Sequence, residues 1–299
     1  MPSFSSLVKA ELCRESLNRP CCVCAEAYGV LLYANTFSAR EIRIVTGSRD
    51  FAQRLPKLFR RAFSVSFDTQ PQPGRSGKFT FGITDGEKIS AIFDKYGYDA
   101  RTALVHHINL GVLEEDCCRA AFIRGAYLAG GSITDPSKRC HMELATDHVC
   151  VARETLSILL DMGFEPHISS RGGHSVIYFK RAEAIEDLFT TIGASSAALA
   201  IMSAKVEKEM YNAINRRVNC DSANADKIVS AAQAQLERIR QIERESGLDS
   251  LPEELQELAL LRIANPEASL ADLAALSCPP VSKSCISHRL RRLINYGQE

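Results

Sequence analysis

CCVCAEAYGVLLYANTFS (residues 21–38) and CCRAAFIRGAYLAGGSIT (residues 117–134) decide the reading of this chain, because they are versions of one segment. Cys21, Cys22, Ala25, Gly29 and Leu32 meet Cys117, Cys118, Ala121, Gly125 and Leu128 at a constant offset of 96 residues. A second pair, GKFTFGITDGEKISAIFDKYG (77–97) and GGHSVIYFKRAEAIEDLFTTIG (172–193), keeps that offset. It matches Gly77, Glu87, Ile89, Phe93 and Gly97 to Gly173, Glu183, Ile185, Phe189 and Gly193. Chance gives about one identity per block, so five in each at an unchanged offset indicate an internal duplication.

The periodicities repeat in the same order within each half. Residues 21–35 and 117–131 are apolar or small on nearly every face, as in buried helices. Glu41–Ile44 and His141–Leu144 alternate like half-exposed strands. Phe51, Leu55, Leu58, Phe59 and Ala62 recur at helical spacing, as do Val151, Thr155, Leu156, Leu159 and Leu160, with Gly163 placed to end the second helix. A strand pair, including Phe79–Ile83 or Val176–Phe179, then leads into a helix carrying Ile89, Ile92 and Phe93, or Ile185, Leu188 and Phe189. Each half therefore reads αββαββα. Gly29 and Gly125 sit among alanines, so the first helix of each half can bring its backbone against the other. Two halves joined in this way form a saddle of two antiparallel sheets, a shape suited to a duplex.

Composition narrows the chemistry. With 299 residues, 45% apolar and 24% charged, the chain is expected to form two or three folded domains. Lys and Arg total 36, equal to Asp and Glu, so attraction to nucleic acid has to come from local segregation of charge. There is no membrane-length apolar run and no signal-peptide pattern, and an odd count of 11 Cys suits a reducing compartment; a cytoplasmic, nucleoid-associated protein is expected. Cys22-Val-Cys24 and the pairs Cys21–Cys22 and Cys117–Cys118 invite a zinc reading. No CxxC pair has another to match it, however, and lone thiols usually serve as small buried hydrophobes, so neither metal nor cofactor is expected. GxxxxGK[ST], strand-linked GxGxxG, HExxH and GxSxG are all absent from the sequence. Arg171-Gly172-Gly173-His174 between two strands reads as a hairpin loop rather than a phosphate-gripping turn.

After Asn219 the alternation stops. Ala223–Ser246 reads as one helix with Ile228, Ala231, Ala232, Gln235, Leu236, Ile239 and Ile242 on a stripe, and a second runs from Pro252 toward Asn265. Ser269, with Asp272 in the capping-box position, starts a short third helix, and Ser282 caps a last one that buries Ile286, Leu290 and Leu293. Residues 282–294 hold four cations, Lys283, Arg289, Arg291 and Arg292, and no acid. Helix-turn-helix spacing would lay the start of this helix in a major groove. Lys283, Ser284, Ser287 and His288 are the candidates for base edges; Arg289, Arg291 and Arg292 are the candidates for phosphate, with Ser269 and Ser282 completing the DNA-binding set.

Gly125-Ala-Tyr-Leu-Ala-Gly-Gly-Ser132 within a twice-repeated αββαββα order resembles the central helix of two-repeat LAGLIDADG homing endonucleases. FIRGAYLAGGSITDP (122–136), NRRVNCDSANADKI (215–228) and PPVSKSCISHRLRRL (279–293) resemble the bacterial WhiA family more closely still. That resemblance implies an α+β fold, a duplicated LAGLIDADG-like saddle followed by an all-α helix-turn-helix domain. The expected divisions are 1–110 and 111–205 for the two halves, 206–220 for a linker helix and 221–299 for the DNA-binding domain. It also implies a sequence-specific transcription factor of Gram-positive bacteria tied to cell division, and to sporulation in some relatives. Double-stranded DNA is the expected partner, with other transcription or cell-division proteins as further candidates and no membrane.

A homing nuclease holds its divalent ions with one acid at the end of each central helix. Those positions fall on Ala34 and Gly130, so no catalytic residue and no enzyme activity are expected; Asp135, before Pro136, reads as a turn residue. Lys57, Arg60, Arg61, Arg216 and Arg217 could extend a phosphate-binding surface. Two other readings remain: an active nuclease, and an interaction protein whose saddle holds a protein or small ligand.

Overall fold

The computed structural model describes residues 2–71, 77–98 and 105–297. The chain divides into two compact units, Met1–Glu209 and Met210–Glu299.

In the first unit, α1 (Phe4–Leu12) precedes the repeat and is capped by Ser3, whose hydroxyl accepts from the Ser6 amide at 3.2 Å. The central helices are α2 (Pro20–Leu32) and α5 (Asp116–Gly130). Their lack of a polar face is explained by burial on nearly all sides. A Cβ built on Gly29 would stand 2.1 Å from the Phe122 carbonyl oxygen, and one on Gly125 would stand 2.0 Å from that of Glu26. The two glycines are thus reciprocal contact points, each admitting the other helix's backbone.

The second half runs α5, β4 (Gly131–Ile133), β5 (Met142–Thr146), α6 (Val149–Asp161), β6 (His167–Arg171), β7 (His174–Phe179) and α7 (Ala182–Ile192). Its sheet order is β4-β5-β7-β6, antiparallel throughout, with Leu144 opposite Ile177 in the buried layer. Gly172 and Gly173, at φ +58° and +87°, close the β6–β7 hairpin with the positive φ pair such a turn requires. The first half runs α2, β1 (Thr36–Phe37), β2 (Ile42–Thr46), α3 (Arg49–Phe63), β3 (Phe79–Ile83) and α4 (Gly86–Lys95), with sheet order β1-β2-β3. Here the expected second strand pair is incomplete among the described residues. A single bridge, Thr69 to Gly82, marks the place of the missing partner, and residues 72–76 lie outside the described residues.

Helices α3 and α6 cover the sheets through Phe51, Leu55, Leu58, Phe59 and Ala62, and through Val151, Thr155 and Leu159. Leu160, expected on that apolar face, is exposed instead.

The linker at 206–220 and the separate helix from Ala223 merge into one element, α8 (Ser195–Glu245), 51 residues long. Neither glycine nor proline occurs between Gly193 and Gly247, so nothing in that stretch interrupts helix. Within the second unit α8 buries Ala232, Gln235, Ile239 and Ile242, whereas Ile228 and Ala231 of the expected stripe are exposed. Against it fold α9 (Glu253–Ala264), α10 (Leu270–Leu276) and α11 (Lys283–Ile294). Leu255, Ala259 and Leu293 pack with Ile239 and Ile242; Leu258, Leu273, Ile286 and Leu290 form an adjoining cluster. Among the described residues no helix is long and apolar enough to cross a membrane.

Candidate nucleic-acid interface

Local capping fixes where α10 and α11 begin. The Asp272 amide donates to Ser269 Oγ at 3.2 Å and the Ser269 amide to Asp272 Oδ2 at 3.0 Å, a reciprocal capping box. Ser269 is therefore engaged as a helix cap. Ser282 Oγ accepts from the Cys285 amide at 3.2 Å and starts α11. The intervening residues 277–282 make a longer turn than the usual three or four, tied back by the Val281 amide to the Ala274 carbonyl at 3.1 Å.

Ile286, Leu290 and Leu293 point α11 into its core, which leaves the opposite arc outward. At about 100° per residue, positions 284, 287, 288, 291 and 292 lie on that arc, with 283 on its flank at the helix start. Lys283, Ser284, His288 and Arg291 are exposed and Ser287 is half-buried. Arg289 falls on the other flank, where its Nε lies 3.6 Å from Glu254 Oε2 on α9. That carboxylate competes with a phosphate for the Arg289 guanidinium. Arg292 is exposed on the outward arc, 4.0 Å from the same carboxylate.

At the other candidate site, Ala34 is buried, and a Cβ on Gly130 would lie 2.3 Å from the Ala145 carbonyl oxygen and 3.0 Å from Tyr33 Cδ1. At Gly130, backbone occupies the space an acidic side chain would need. Asp135 Oδ1 accepts from the Ser137 amide at 2.9 Å and from its hydroxyl at 2.7 Å, the bonding of a turn residue. On the sheets, Arg43 lies 3.9 Å from Glu41 and Arg171 lies 3.5 Å from Glu143, which also pairs with His141 at 2.7 Å. Lys57, Arg60 and Arg61 are exposed on α3 beside a cleft of about 590 Å³ that they share with Arg14, and Arg61 donates to the Leu17 carbonyl. Arg216 and Arg217 are exposed on α8.

Two features escape the sequence reading. Glu26, 1% exposed on α2, accepts from Arg54 at 2.6 and 2.8 Å and from Arg124 of α5 at 3.2 Å. Arg124 also donates to the Ile192 carbonyl at 2.7 Å, so this carboxylate ties both central helices to their surroundings. The available signal is a lone acid in an uncharged run. In the sequence Cys21–Cys22 and Cys117–Cys118 stand as two separate pairs with no metal expected, whereas the structure gathers all four sulfurs within 4.8 Å of one another. Pairing α2 with α5 through their glycines brings their amino ends, and both Cys-Cys pairs, together. Burial pushes the Cys22 thiol up to about 12.

The model of the WhiA LAGLIDADG-like domain matches residues 119–211, and that of the WhiA C-terminal HTH domain matches residues 214–296. A "Probable cell division protein WhiA" from Ruminiclostridium cellulolyticum is 36% identical over 299 residues, covering 97% of this chain and 96% of the relative. The chain belongs to the WhiA family. A relative of the same name from Clostridium botulinum is 33% identical, with 99% and 98% covered. The crystal structure of full-length DUF199/WhiA from Thermatoga maritima shares the fold at a TM-score of 0.60 and 23% identity, covering 99% of this chain and 98% of that one. That of the N-terminal LAGLIDADG domain of DUF199/WhiA gives 0.51 at 18% identity, covering 64% and 91%. The WhiA LAGLIDADG-like match begins at Arg119 and spans the second half; the duplication at offset 96 extends the reading to the first. With its WhiA helix-turn-helix domain, the chain is a DNA-binding, WhiA-like protein.

Proposed function

We propose that this chain is a sequence-specific transcriptional regulator that reads double-stranded DNA through α11 and acts in the control of cell division, with its LAGLIDADG-like unit kept as a scaffold that does not cut. The outward arc of α11 carries this reading. It offers Ser284, Ser287, His288 and Arg291 together, with Lys283 on its flank at the helix start, on a helix whose other side is locked by Ile286, Leu290 and Leu293 and whose span 282–294 contains no acid. Such a helix start presents donors to base edges while its cations approach phosphate. The relatives, named as probable cell division proteins, supply the link to cell division.

The absence of cutting rests on Ala34 and on the backbone packed against Gly130. The test is incubation of the full-length protein with Mg²⁺ and duplexes selected by its own binding. Binding with intact DNA is expected, and double-strand cleavage at a defined site refutes the inert scaffold.

A second reading, in which the LAGLIDADG-like unit holds a protein or small ligand, is favoured by the neutralised arginines of its sheets. Arg43 and Arg171 each face a carboxylate, which weakens their attraction for a phosphate backbone. If Met1–Glu209, expressed alone and folded, retains no duplex at physiological salt, that reading gains; retention of duplex counts against it.

A further inference from the structure

The amino ends of the central helices carry the same dipeptide at the same place. Cys21 and Cys22 are the second and third residues of α2, and Cys117 and Cys118 are the second and third of α5. The Gly29–Gly125 contact brings these ends together. Cys21 and Cys22 sulfurs are 3.9 Å apart, and Cys22 Sγ lies 3.6 Å from the Cys117 carbonyl oxygen. Cys118 is buried, Cys22 and Cys117 are half-buried, and Cys21 is exposed, so an ion can reach the cluster from solvent.

We infer that these four cysteines bind one structural metal ion, a four-coordinate Zn²⁺ that clamps the two halves at the amino end of the central helix pair. Tetrahedral thiolate coordination with bonds of about 2.3 Å sets sulfurs about 3.8 Å apart. The four sulfurs, all within 4.8 Å, reach that spacing by contracting less than about 1 Å. An iron–sulfur cubane places each thiolate on a different iron and needs a wider frame, while Mg²⁺ and Ca²⁺ select oxygen ligands. Thiolates suit Zn²⁺.

Electrostatics agree with the geometry. Four thiolates around a divalent ion leave two negative charges, and they sit where two helix amino termini each present about half a positive charge. The Cys21, Cys22 and Cys117 amides lie in those first turns, where the helix supplies no acceptor, and can donate to sulfur, while the Cys118 amide is taken by the Glu115 carbonyl at 2.9 Å. Arg19, at the α2 N-cap, adds a cation beside the cluster, while Asp116 on the α5 side is turned to solvent and paired with Arg119 at 3.5 Å. The cluster is at the opposite end of the helices from Ala34 and Gly130, about 20 Å away at 1.5 Å per residue, and is therefore separate from the positions where a homing nuclease binds its ions.

Full-length protein purified under reducing conditions without chelator should contain one zinc per chain. Metal-free protein should take up one Co²⁺, with thiolate-to-metal charge-transfer and tetrahedral d–d absorption that Zn²⁺ abolishes. X-ray absorption should return four sulfur neighbours at about 2.3 Å. The paired replacement Cys117→Ser with Cys118→Ser should lose the ion. Because Cys118 is packed in the core, the exposed Cys21→Ser provides the milder variant. It should weaken binding more than about tenfold against a competing chelator, since disturbing even an outer-sphere partner costs that much. Cys24→Ser and Cys140→Ser should bind as wild type. The inference is overturned by reduced, folded protein that takes up neither ion, by a cross-helix disulfide trapped on rapid alkylation, or by retention of zinc in the paired variant.

Discussion

Replacing Gly29 by alanine puts a methyl where α2 and α5 leave no room. Its Cβ would lie 2.1 Å from the Phe122 carbonyl oxygen and 2.8 Å from the Ala126 amide nitrogen. Carbon–oxygen contacts settle at about 3.3 Å, so the helices must separate locally by about 1 Å. The obstructing atoms are backbone, and no side-chain rotation relieves them. Overpacking a core costs about 1–3 kcal/mol, and separation also loosens contacts along the helix pair, against which alanine gains about 1 kcal/mol over glycine in helix propensity. A net loss of about 1–2 kcal/mol is expected. Gly125→Ala, with its Cβ 2.0 Å from the Glu26 carbonyl oxygen, should cost a similar amount. The double variant should fall short of the sum, because one separation relieves both clashes. The chain has no tryptophan, and six of its eight tyrosines precede residue 210, so tyrosine-detected urea unfolding reports mainly on this unit. Gly86→Ala, with nothing within 4 Å of its Cβ, is the control and should change little. An unfolding midpoint for Gly29→Ala equal to or above wild type would refute backbone contact between the helices.

Glu26→Gln leaves the buried Arg54 and Arg124 without their carboxylate and should cost about 3–5 kcal/mol by the same assay; a loss below about 1 kcal/mol would mean that water solvates the site. Lys9 donates to the Leu128 carbonyl at 3.0 Å, and burial lowers its pKa to about 8. Between about pH 8 and pH 10.5 the unfolded chain keeps this proton and the folded chain has lost it, so the group makes stability rise with pH across that window. Lys9→Met should remove that component. Identical pH slopes of the unfolding midpoint for variant and wild type would exclude it.

Much of this architecture is legible in the sequence because the duplication acts twice, once as a repeat and once as a pairing rule. Gly29 and Gly125 stand 96 residues apart, and the structure has them meeting. The first half's second strand pair misleads. Ninety-six residues before β6 the chain reads Pro71-Gln-Pro-Gly-Arg75, whose prolines lack the amide a strand ladder needs. A change of composition suggests dividing α8, although no residue between Gly193 and Gly247 breaks a helix. The face of α11 follows from its period of apolar residues. The Arg289 pairing does not, because Glu254 lies 35 positions away on α9 and only packing brings it near. Glu26 and the four-cysteine cluster depend in the same way on partners brought close by the α2–α5 pairing.

The most direct test of α11 as the reader of sequence is the ratio of affinities for a duplex selected from random sequence and for its scrambled counterpart, measured for wild type and for Ser287→Ala with His288→Ala. If α11 discriminates, the paired variant loses about 1–3 kcal/mol per lost base contact on the selected duplex and little on the scrambled one, so the ratio collapses. Arg291→Ala should instead weaken both duplexes alike and lower the salt slope by about 0.9. An unchanged ratio in the paired variant would contradict the claim and move sequence reading to another surface of the chain.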